Sequence, residues 1–307
     1  MSSAGSLVKK GLVTGDFGRD FLVELPDRTA LTCSRKGKKQ DVTCGDHVEV
    51  TPNPDGREKT GRIETVLPRR NVLFRKDAWR EKTLAANIDQ ALIIVAPKPS
   101  FSDMFISLCL IACDAAGIAP IIMLNKKDLP EFDAALASLK HFQDVGYEIL
   151  PMSAKFDIEP LRPHLAGKTT LLVGQSGMGK SRTVNNLVMR DVAKEGELSE
   201  ALDSGKHTTT YTRLYHLDKD TAIIDSPGLQ SFGLFHLPDD DIAYGMPEFR
   251  PYIGTCKFSN CAHLNEPGCA VLAAAEAGKI NATRLSFYQV LIEQQRELRI
   301  SHPDWKA

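Results

Sequence analysis

The stretch "LLVGQSGMGKSRT", residues 171–183, joins an apolar run to a segment with a helical pattern. Within it, Gly174, Gly179, Lys180 and Ser181 match G-x-x-x-x-G-K-[S/T] in the strand–loop–helix context that this motif requires. Glycines let backbone N–H groups close around phosphate oxygens, and the helix N-terminus adds partial positive charge. We therefore predict a phosphate-binding loop formed by Gly174, Gln175, Ser176, Gly177, Met178, Gly179, Lys180, Ser181 and Arg182.

Two side chains of this loop carry specific chemistry. Lys180 can reach the β- and γ-phosphates and is a candidate catalytic residue, and the Ser181 hydroxyl can bind Mg²⁺. The loop alone does not distinguish ATP from GTP, so the base has to be identified from other motifs.

The motif "NKKD", residues 125–128, favours guanine. It follows an apolar strand pattern, and α/β sheets bind ligands at the carboxyl ends of their strands. The Asp128 carboxylate can accept from guanine N1–H and from the exocyclic amine, a donor pair that adenine lacks. We expect Asn125 to tie this loop to the phosphate loop and the stem of Lys126 to cover the base. With "SAK" at the end of another strand, the predicted base pocket comprises Asn125, Lys126, Lys127, Asp128, Ser153, Ala154 and Lys155.

Two further motifs, "HTTT" at 207–210 and "DSPG" at 225–228, are typical of segments that respond to the γ-phosphate. We expect Asp225 to hold Mg²⁺ through water and the Gly228 N–H to touch the γ-phosphate. Thr209 is the first choice for binding Mg²⁺ and γ-phosphate, and Thr208 is the second. The predicted magnesium ligands are Ser181, Thr209 and Asp225.

The order of these motifs along the chain is unusual for a GTPase. The base-reading motifs come first and the phosphate loop follows, which indicates a circular permutation. Compact domains often have neighbouring termini, so joining them and cutting elsewhere preserves the site. As a result "DSPG" runs directly into a C-terminal segment rich in cysteine, to which a γ-phosphate-dependent movement could be passed.

Three regions of the 307-residue chain have different patterns. Residues 1–67 contain short β-like runs broken by turns, which indicates a five-stranded OB-type β-barrel that contacts RNA. Residues 68–237 alternate apolar strands with helices, including one helix over 132–146, and indicate an α/β GTPase domain with a mostly parallel sheet. Residues 238–307 are predicted to form a mostly helical zinc-binding domain that ends in a long helix.

The C-terminal region contains the pattern C-x4-C-x-H-x5-C, formed by Cys256, Cys261, His263 and Cys269. Three thiolates and one imidazole suit tetrahedral Zn²⁺ and leave no open position, so we predict one structural zinc ion. The other cysteines are expected to be buried thiols.

Charge and hydropathy bear on the partners and on the location of the protein. Residues 1–83 carry 17 Lys/Arg against 12 Asp/Glu, although the whole chain has a net charge of -1. This imbalance suggests a polyanion partner, and Lys/Arg of "SRKGKK" and "PRR" are candidates for phosphate contacts. Residues 1–11 lack an apolar signal region, and we expect a cytoplasmic protein without a membrane span. A monomer is the default expectation.

The motif order closely resembles the circularly permuted GTPases, and the full layout is similar to their ribosome small-subunit-dependent branch. The stretches that carry the resemblance are "LPRRNVLFR", "AANIDQALIIVAP", "LNKKDL", "GQSGMGKS", "HTTTYTRLYHL", "IIDSPGLQSFGL" and "CKFSNCAHLNEPGCAV". The resemblance implies GTP hydrolysis to GDP and phosphate, stimulated by the small ribosomal subunit late in its maturation, and contacts with its rRNA. Arg182 departs from the small hydroxyl residue common there, and the short N-terminus reduces any basic extension to Lys9 and Lys10.

Two alternatives remain open on the sequence. A nucleotide-gated RNA-binding protein would bind ribosomes tightly with GTP and show negligible stimulation of hydrolysis. A P-loop ATPase or kinase is disfavoured by "NKKD", and a nucleotide competition assay distinguishes it.

The residue that orients the attacking water is not the usual one. Many GTPases place Gln directly after the glycine of "DSPG", but this chain has Leu229, whose side chain cannot hydrogen-bond water. The resemblance points to His207 as the catalytic candidate, since a neutral imidazole can orient water.

We expect His207→Ala to lower the single-turnover hydrolysis rate by about 100-fold, because positioned proton-transfer groups contribute on that order. GTP affinity should stay nearly unchanged, because the imidazole would contact water and not nucleotide. Rapid-quench kinetics and fluorescent-nucleotide titration measure the two quantities, with His302→Ala as the control. A large loss of affinity would exclude this role.

Overall fold

The structure is a computed structural model that describes residues 8–35, 37, 41–53, 59–76, 81–195, 211–227 and 233–301. The predicted functional residues His207, Thr208, Thr209 and Gly228 lie outside the described residues.

The N-terminal region is a closed five-stranded barrel, which confirms the predicted OB-type fold. Its strands follow the order β1-β2-β3-β5-β4, and β4 pairs back onto β1. All of these pairings are antiparallel except β3 with β5. Alternate side chains such as Val13, Val23, Val48 and Ile63 are fully buried inside the barrel, as the period of two along a strand requires. The strands are β1 (Lys9–Asp16), β2 (Asp20–Glu24), β3 (Ala30–Arg35), β4 (His47–Pro52) and β5 (Thr60–Val66).

The central region is an α/β domain whose sheet has the order β10-β9-β8-β11-β13-β12. The first five strands are parallel and β12 is antiparallel, as expected for a mostly parallel sheet. Every residue of β8 is buried, because helices cover both faces. The strands are β8 (Gln90–Val95), β9 (Ala119–Leu124), β10 (Ile149–Pro151), β11 (Thr169–Val173), β12 (Thr212–His216) and β13 (Ala222–Asp225); the helices are α1 (Asp103–Ala115), α2 (Phe132–Ser138), α3 (Lys140–Asp144), α4 (Arg162–Leu165) and α5 (Lys180–Glu195).

The predicted single helix over 132–146 is wrong, because the structure has two short helices there, α2 and α3. The break falls at Leu139, whose N–H bonds the Leu136 carbonyl in a tighter i→i+3 turn. Leu139 and Phe142 are both fully buried after this turn, so core packing sets the new helix direction.

A hairpin that the sequence did not indicate links the barrel to the α/β domain. It consists of β6 (Val72–Lys76) and β7 (Glu81–Ala86). Two arginines hold its base in place. Arg69 donates two hydrogen bonds to the buried Asp46 carboxylate and two to Asp41, at its carboxylate and its carbonyl, while Arg70 pairs with Asp89. The arginines of "PRR", proposed above as RNA contacts, thus already have carboxylate partners within the protein.

The C-terminal region is mostly helical, as expected, with α6 (Asp239–Tyr244), α7 (Ala270–Glu276) and α8 (Ala282–Ser301). A buried arginine of α8 connects it to the α/β domain. The Arg284 guanidinium, 2% exposed, bonds Glu248 at 2.6 Å and the Ser107 hydroxyl of α1 at 3.1 Å. Removing one partner would leave a buried charge uncompensated, which typically costs about 3–5 kcal/mol.

One contact joins the two sheets into a single sheet of eleven strands. Strand β1 of the barrel pairs antiparallel with β12, with Gly15 opposite Arg213 and Asp16 opposite Thr212. The barrel is therefore hydrogen-bonded directly to the strand that follows the "HTTT" motif.

Candidate active site and metal centre

The predicted phosphate loop lies between the buried strand β11 and the long helix α5. Two of its glycines have no room for a side chain. A Cβ on Gly174 would lie 2.7 Å from the Ile94 carbonyl oxygen, and one on Gly179 would lie 2.2 Å from Asn125 Nδ2. Gly179 also has φ +99°, a conformation that L side chains rarely adopt. Close packing against the ends of neighbouring strands thus dictates glycine at both positions.

Lys180 and Asp225 meet at the start of α5, although 45 residues separate them in the chain. Lys180 is 6% exposed, and its ammonium donates to Asp225 Oδ1 at 2.5 Å and to the Ser226 carbonyl. Ser226 in turn donates from its hydroxyl to the Leu172 carbonyl, which anchors "DSPG" to β11. Ser181 lies beside this pair and is exposed on the first turn of α5. The arrangement places a cation, a carboxylate and a hydroxyl at one helix N-terminus.

The side chain of Asn125 connects its own loop to two others. One of them is the phosphate loop, as the sequence suggested. The Asn125 amide nitrogen donates to the Met178 carbonyl at 2.9 Å, and its amide oxygen accepts from the Ala154 N–H at 2.9 Å. An amide side chain can donate from its nitrogen and accept at its oxygen at the same time. The phosphate loop, "NKKD" and "SAK" are consequently held in one fixed geometry.

Lys126 strengthens the same junction. It adopts φ +63°, and its ammonium donates to the Gly177 carbonyl at 2.7 Å and to the Lys98 carbonyl. A residue that the sequence analysis did not single out, Asn186 of α5, donates to the Ala154 carbonyl at 2.5 Å. In the sequence, only the position of Asn186 on the helix that follows the phosphate loop indicated that it could contact this site.

Asp128 lies at the exposed rim of this junction. The Ser153 hydroxyl donates to Asp128 Oδ1 at 2.6 Å and lowers the pKa of the carboxyl group, with smaller effects from Lys155 and Lys126. The group is therefore ionised at neutral pH and acts only as an acceptor, as recognition of two adjacent N–H donors requires.

The four candidate metal ligands form one cluster whose ligand atoms all lie within 4.8 Å of one another. His263 Nδ1 is 3.3 Å from Cys269 Sγ and 3.6 Å from Cys256 Sγ, and the last two sulfurs are 3.9 Å apart. A tetrahedral ion with metal–sulfur bonds of about 2.3 Å separates two sulfurs by about 3.8 Å, so the cluster fits Zn²⁺. Cys261 completes the set.

Neighbouring groups shape this cluster. The Glu266 carboxylate accepts from the N–H groups of Ala262 and Leu264, and the Tyr288 hydroxyl of α8 donates to the Ala262 carbonyl. Burial raises the pKa of the Cys261 thiol to about 12 and lowers the pKa of His263. A bound cation would reverse the first effect by stabilising the thiolates, while a neutral imidazole is already suited to coordination.

Comparison with known proteins assigns the chain that forms this site to a family. A family model described as "RsgA GTPase" matches residues 66–235. The chain belongs to the RsgA GTPase family. Two RsgA relatives, both called "Small ribosomal subunit biogenesis GTPase RsgA", come from Nitrosospira multiformis and Bordetella pertussis. The first is 46% identical, covering 95% of this chain and 92% of the relative, and the second is 48% identical, covering 94% and 97%.

Solved structures agree with the RsgA fold. YjeQ from Thermotoga maritima has a TM-score of 0.70 at 27% identity, covering 95% of this chain and 99% of its own. YloQ, described as a circularly permuted GTPase, has a TM-score of 0.68 at 24% identity and covers 99% and 100%. The predicted permutation is thus confirmed. Among the described residues of this RsgA family member, no helix is long and apolar enough to cross a membrane.

The predicted role of Asp128 in base recognition can be tested by a change of nucleotide specificity. Asp128→Asn replaces one acceptor with an amide donor that faces the guanine amine, so we expect GTP affinity to fall about 100-fold. Xanthine has a carbonyl where guanine has this amine, and affinity for XTP should rise. Calorimetric titration with both nucleotides measures the change, and Asp133→Asn, an exposed acid on α2, is the control. Equal losses for GTP and XTP would instead assign Asp128 a structural role through Ser153.

Proposed function

We propose that this chain binds GTP with Mg²⁺ and hydrolyses it to GDP and phosphate during maturation of the small ribosomal subunit. The observation that carries the proposal is the Asn125 bridge, because it joins a phosphate loop to two guanine-type loops in one site. The relatives named for small-subunit biogenesis, at 44–48% identity over more than nine-tenths of the chain, supply the biological setting.

In the proposed mechanism the phosphate loop holds the nucleotide through its backbone N–H groups and the N-terminus of α5. Lys180 exchanges its contact with Asp225 for the β- and γ-phosphates and neutralises charge in the transition state. Asp128 binds the base, with Ser153, Ala154 and Lys155 as the neighbouring loop.

The hard oxygen donors of Ser181 and Asp225 suit Mg²⁺, and the ion would neutralise phosphate charge. Thr209, with Thr208 as the alternative, is proposed as a further ligand, and the Gly228 N–H as a contact to the γ-phosphate. His207 is proposed to orient the attacking water. These four assignments rest on the sequence motifs.

The Cys256–Cys269 cluster is proposed to hold one structural Zn²⁺. The donor set and the separations of its atoms support this assignment, and four protein ligands would leave no position for a substrate. The ion would fix the loop before α7, which α8 also supports through Tyr288.

The small ribosomal subunit and its rRNA are proposed as the partner, with a monomeric protein acting in the cytoplasm. Support for an RNA partner comes from the excess of Lys/Arg over residues 1–83 and from the OB-type barrel. The alternative, a nucleotide-gated RNA-binding protein with incidental hydrolysis, is tested by the same assay.

The test is GTP hydrolysis by the purified chain alone, with small ribosomal subunits and with large subunits. We expect strong stimulation by small subunits only, because the partner would complete a site that lacks the usual glutamine. Lys180→Ala provides the inactive reference. GTP binding without stimulation by either subunit would contradict the proposal and favour the nucleotide-gated binder.

A second test addresses the metal. Inductively coupled plasma mass spectrometry should find about one zinc per chain, and Cys269→Ser should reduce this content and lower the temperature of unfolding, because a tetrahedral site loses a thiolate. Cys33→Ser, at a buried cysteine in the barrel, is the matched control and should keep its zinc. Full zinc content in Cys269→Ser would exclude the cluster as the binding site.

A further inference from the structure

Two asparagines hold Ala154, the central residue of "SAK". The amide nitrogen of Asn186 donates to the Ala154 carbonyl at 2.5 Å, and the amide oxygen of Asn125 accepts from the Ala154 N–H at 2.9 Å. Ala154 is 1% exposed, so water does not compete for these two groups. Rotation of either peptide group would leave a buried polar group without a partner, which costs free energy. The backbone on both sides of Ala154 is therefore fixed.

The hydrogen bond from Asn186 also fixes the direction of the next backbone donor, the Lys155 N–H. The Ala154 carbonyl and the Lys155 N–H belong to one planar trans peptide, so they point in opposite directions. Because Asn186 holds the carbonyl oxygen toward α5, the Lys155 N–H points away from that helix. This N–H has no hydrogen-bond acceptor among the residues that the structure describes. It is a positioned donor that a ligand can use.

This donor lies next to the group that is predicted to bind the base. Ser153, which precedes Ala154, donates its hydroxyl to Asp128 Oδ1 at 2.6 Å, so the two loops meet there. Positions 1, 2 and 6 of a purine lie along one edge of the ring system. A guanine that gives its N1–H and its 2-amine to Asp128 therefore presents its 6-carbonyl to the "SAK" loop. Guanine has an acceptor at position 6, whereas adenine has an amine donor there.

We propose that Asn186 is a positioning residue for guanine selection, because it directs the Lys155 N–H toward the 6-carbonyl of the bound base. This inference rests on the proposed function, which puts GTP in this site. Adenine would place its amine against the same N–H, and two donors that face each other leave both unpaired. Asn186 thus adds discrimination at position 6 to the discrimination by Asp128 at positions 1 and 2.

Helix α5 gives this discrimination a fixed relation to the phosphate loop. Lys180 is the first residue of α5, and Asn186 lies six residues further on, about 9 Å along the helix axis. Leu187 and Val188, which follow Asn186, pack into the core beside the sheet. One anchored helix therefore contributes to the phosphate site at its N-terminus and holds the base loop from its second turn.

The test compares nucleotides within each variant by displacement of a fluorescent nucleotide from the full chain at pH 7. 6-Thio-GTP keeps N1–H and the 2-amine but has sulfur, a weaker acceptor, at position 6. ITP keeps the 6-carbonyl and lacks the 2-amine. The first nucleotide reports the contact at position 6, and the second reports the contact with Asp128. Each affinity ratio is measured on one sample, so the fraction of active protein cancels.

Asn186→Leu keeps the approximate size of the side chain and removes the donor. We expect GTP affinity to fall about 5-fold and the preference for GTP over 6-thio-GTP to fall about 3-fold, because the Lys155 N–H is no longer directed. The preference for GTP over ITP should stay within about two-fold of the parent. Asn186→Asp sets an acceptor against the Ala154 carbonyl and should lose more GTP affinity than Asn186→Leu.

Two controls separate positioning from a general structural role. Asn185→Leu alters the same residue type at the adjacent, exposed position of α5 and should leave both ratios and the unfolding temperature unchanged. Single-turnover hydrolysis at saturating GTP should be the same in Asn186→Leu as in the parent, because the lost bond lies at the base end of the site. The effect should thus appear in KM and not in kcat.

The outcomes distinguish this inference from the proposed function. An unchanged preference for GTP over 6-thio-GTP in Asn186→Leu would overturn the inference. Equal changes in the two ratios, or the same changes in Asn185→Leu, would also overturn it, since they would indicate a general loosening of the pocket or of the helix. The proposed function would stand in each case while the unaltered chain prefers GTP to ATP. Equal affinity of the unaltered chain for GTP and ATP would contradict the proposed function, and this inference with it.

Discussion

The rest of the nucleotide site depends on the two hydrogen bonds made by the side chain of Asn125. Asn125 is 3% exposed, and its single amide satisfies a carbonyl of the phosphate loop and an N–H of "SAK" at the same time. An unpaired buried amide costs free energy, so the three loops are favoured only in the arrangement that satisfies both groups. Gly179 has to be glycine because the Asn125 amide occupies the space of its Cβ. One hydrogen-bonded side chain thus constrains both the geometry of the three loops and the residue type at position 179.

Much of the fold could be predicted from the sequence, because the patterns that indicate its strands and its metal ligands lie within short stretches of the chain. Alternating apolar residues in the barrel, short apolar runs such as "ALIIVAP" and the close spacing of Cys256 and Cys261 each reflect a periodicity or a ligand chemistry that needs no distant partner. The motif order also revealed the permutation, since order is a property of sequence alone. The phosphate loop and the cysteine cluster lie where these patterns placed them.

The features that escaped prediction depend on residues far apart in the chain. Arg69 pairs with Asp46 and Arg70 with Asp89, each about twenty residues away, so the two arginines of a basic run that suggested RNA contacts make ion pairs within the protein. The hairpin over 72–86 carries many charges and lacks a clear alternation, and its pairing is visible only in three dimensions. The break at Leu139 likewise follows from core packing, which overrides helix propensity.

The pairing of β1 with β12 gives the barrel a role beyond any ligand it binds. Strand β12 is the outermost strand of the α/β sheet, and β1 covers its free edge at Thr212 and Arg213. An uncovered edge offers unpaired N–H and C=O groups to other chains and promotes self-association. A truncated protein that begins after residue 67 would expose that edge. The barrel therefore occupies a part of the sheet edge at which two copies of the nucleotide-binding sheet could otherwise pair.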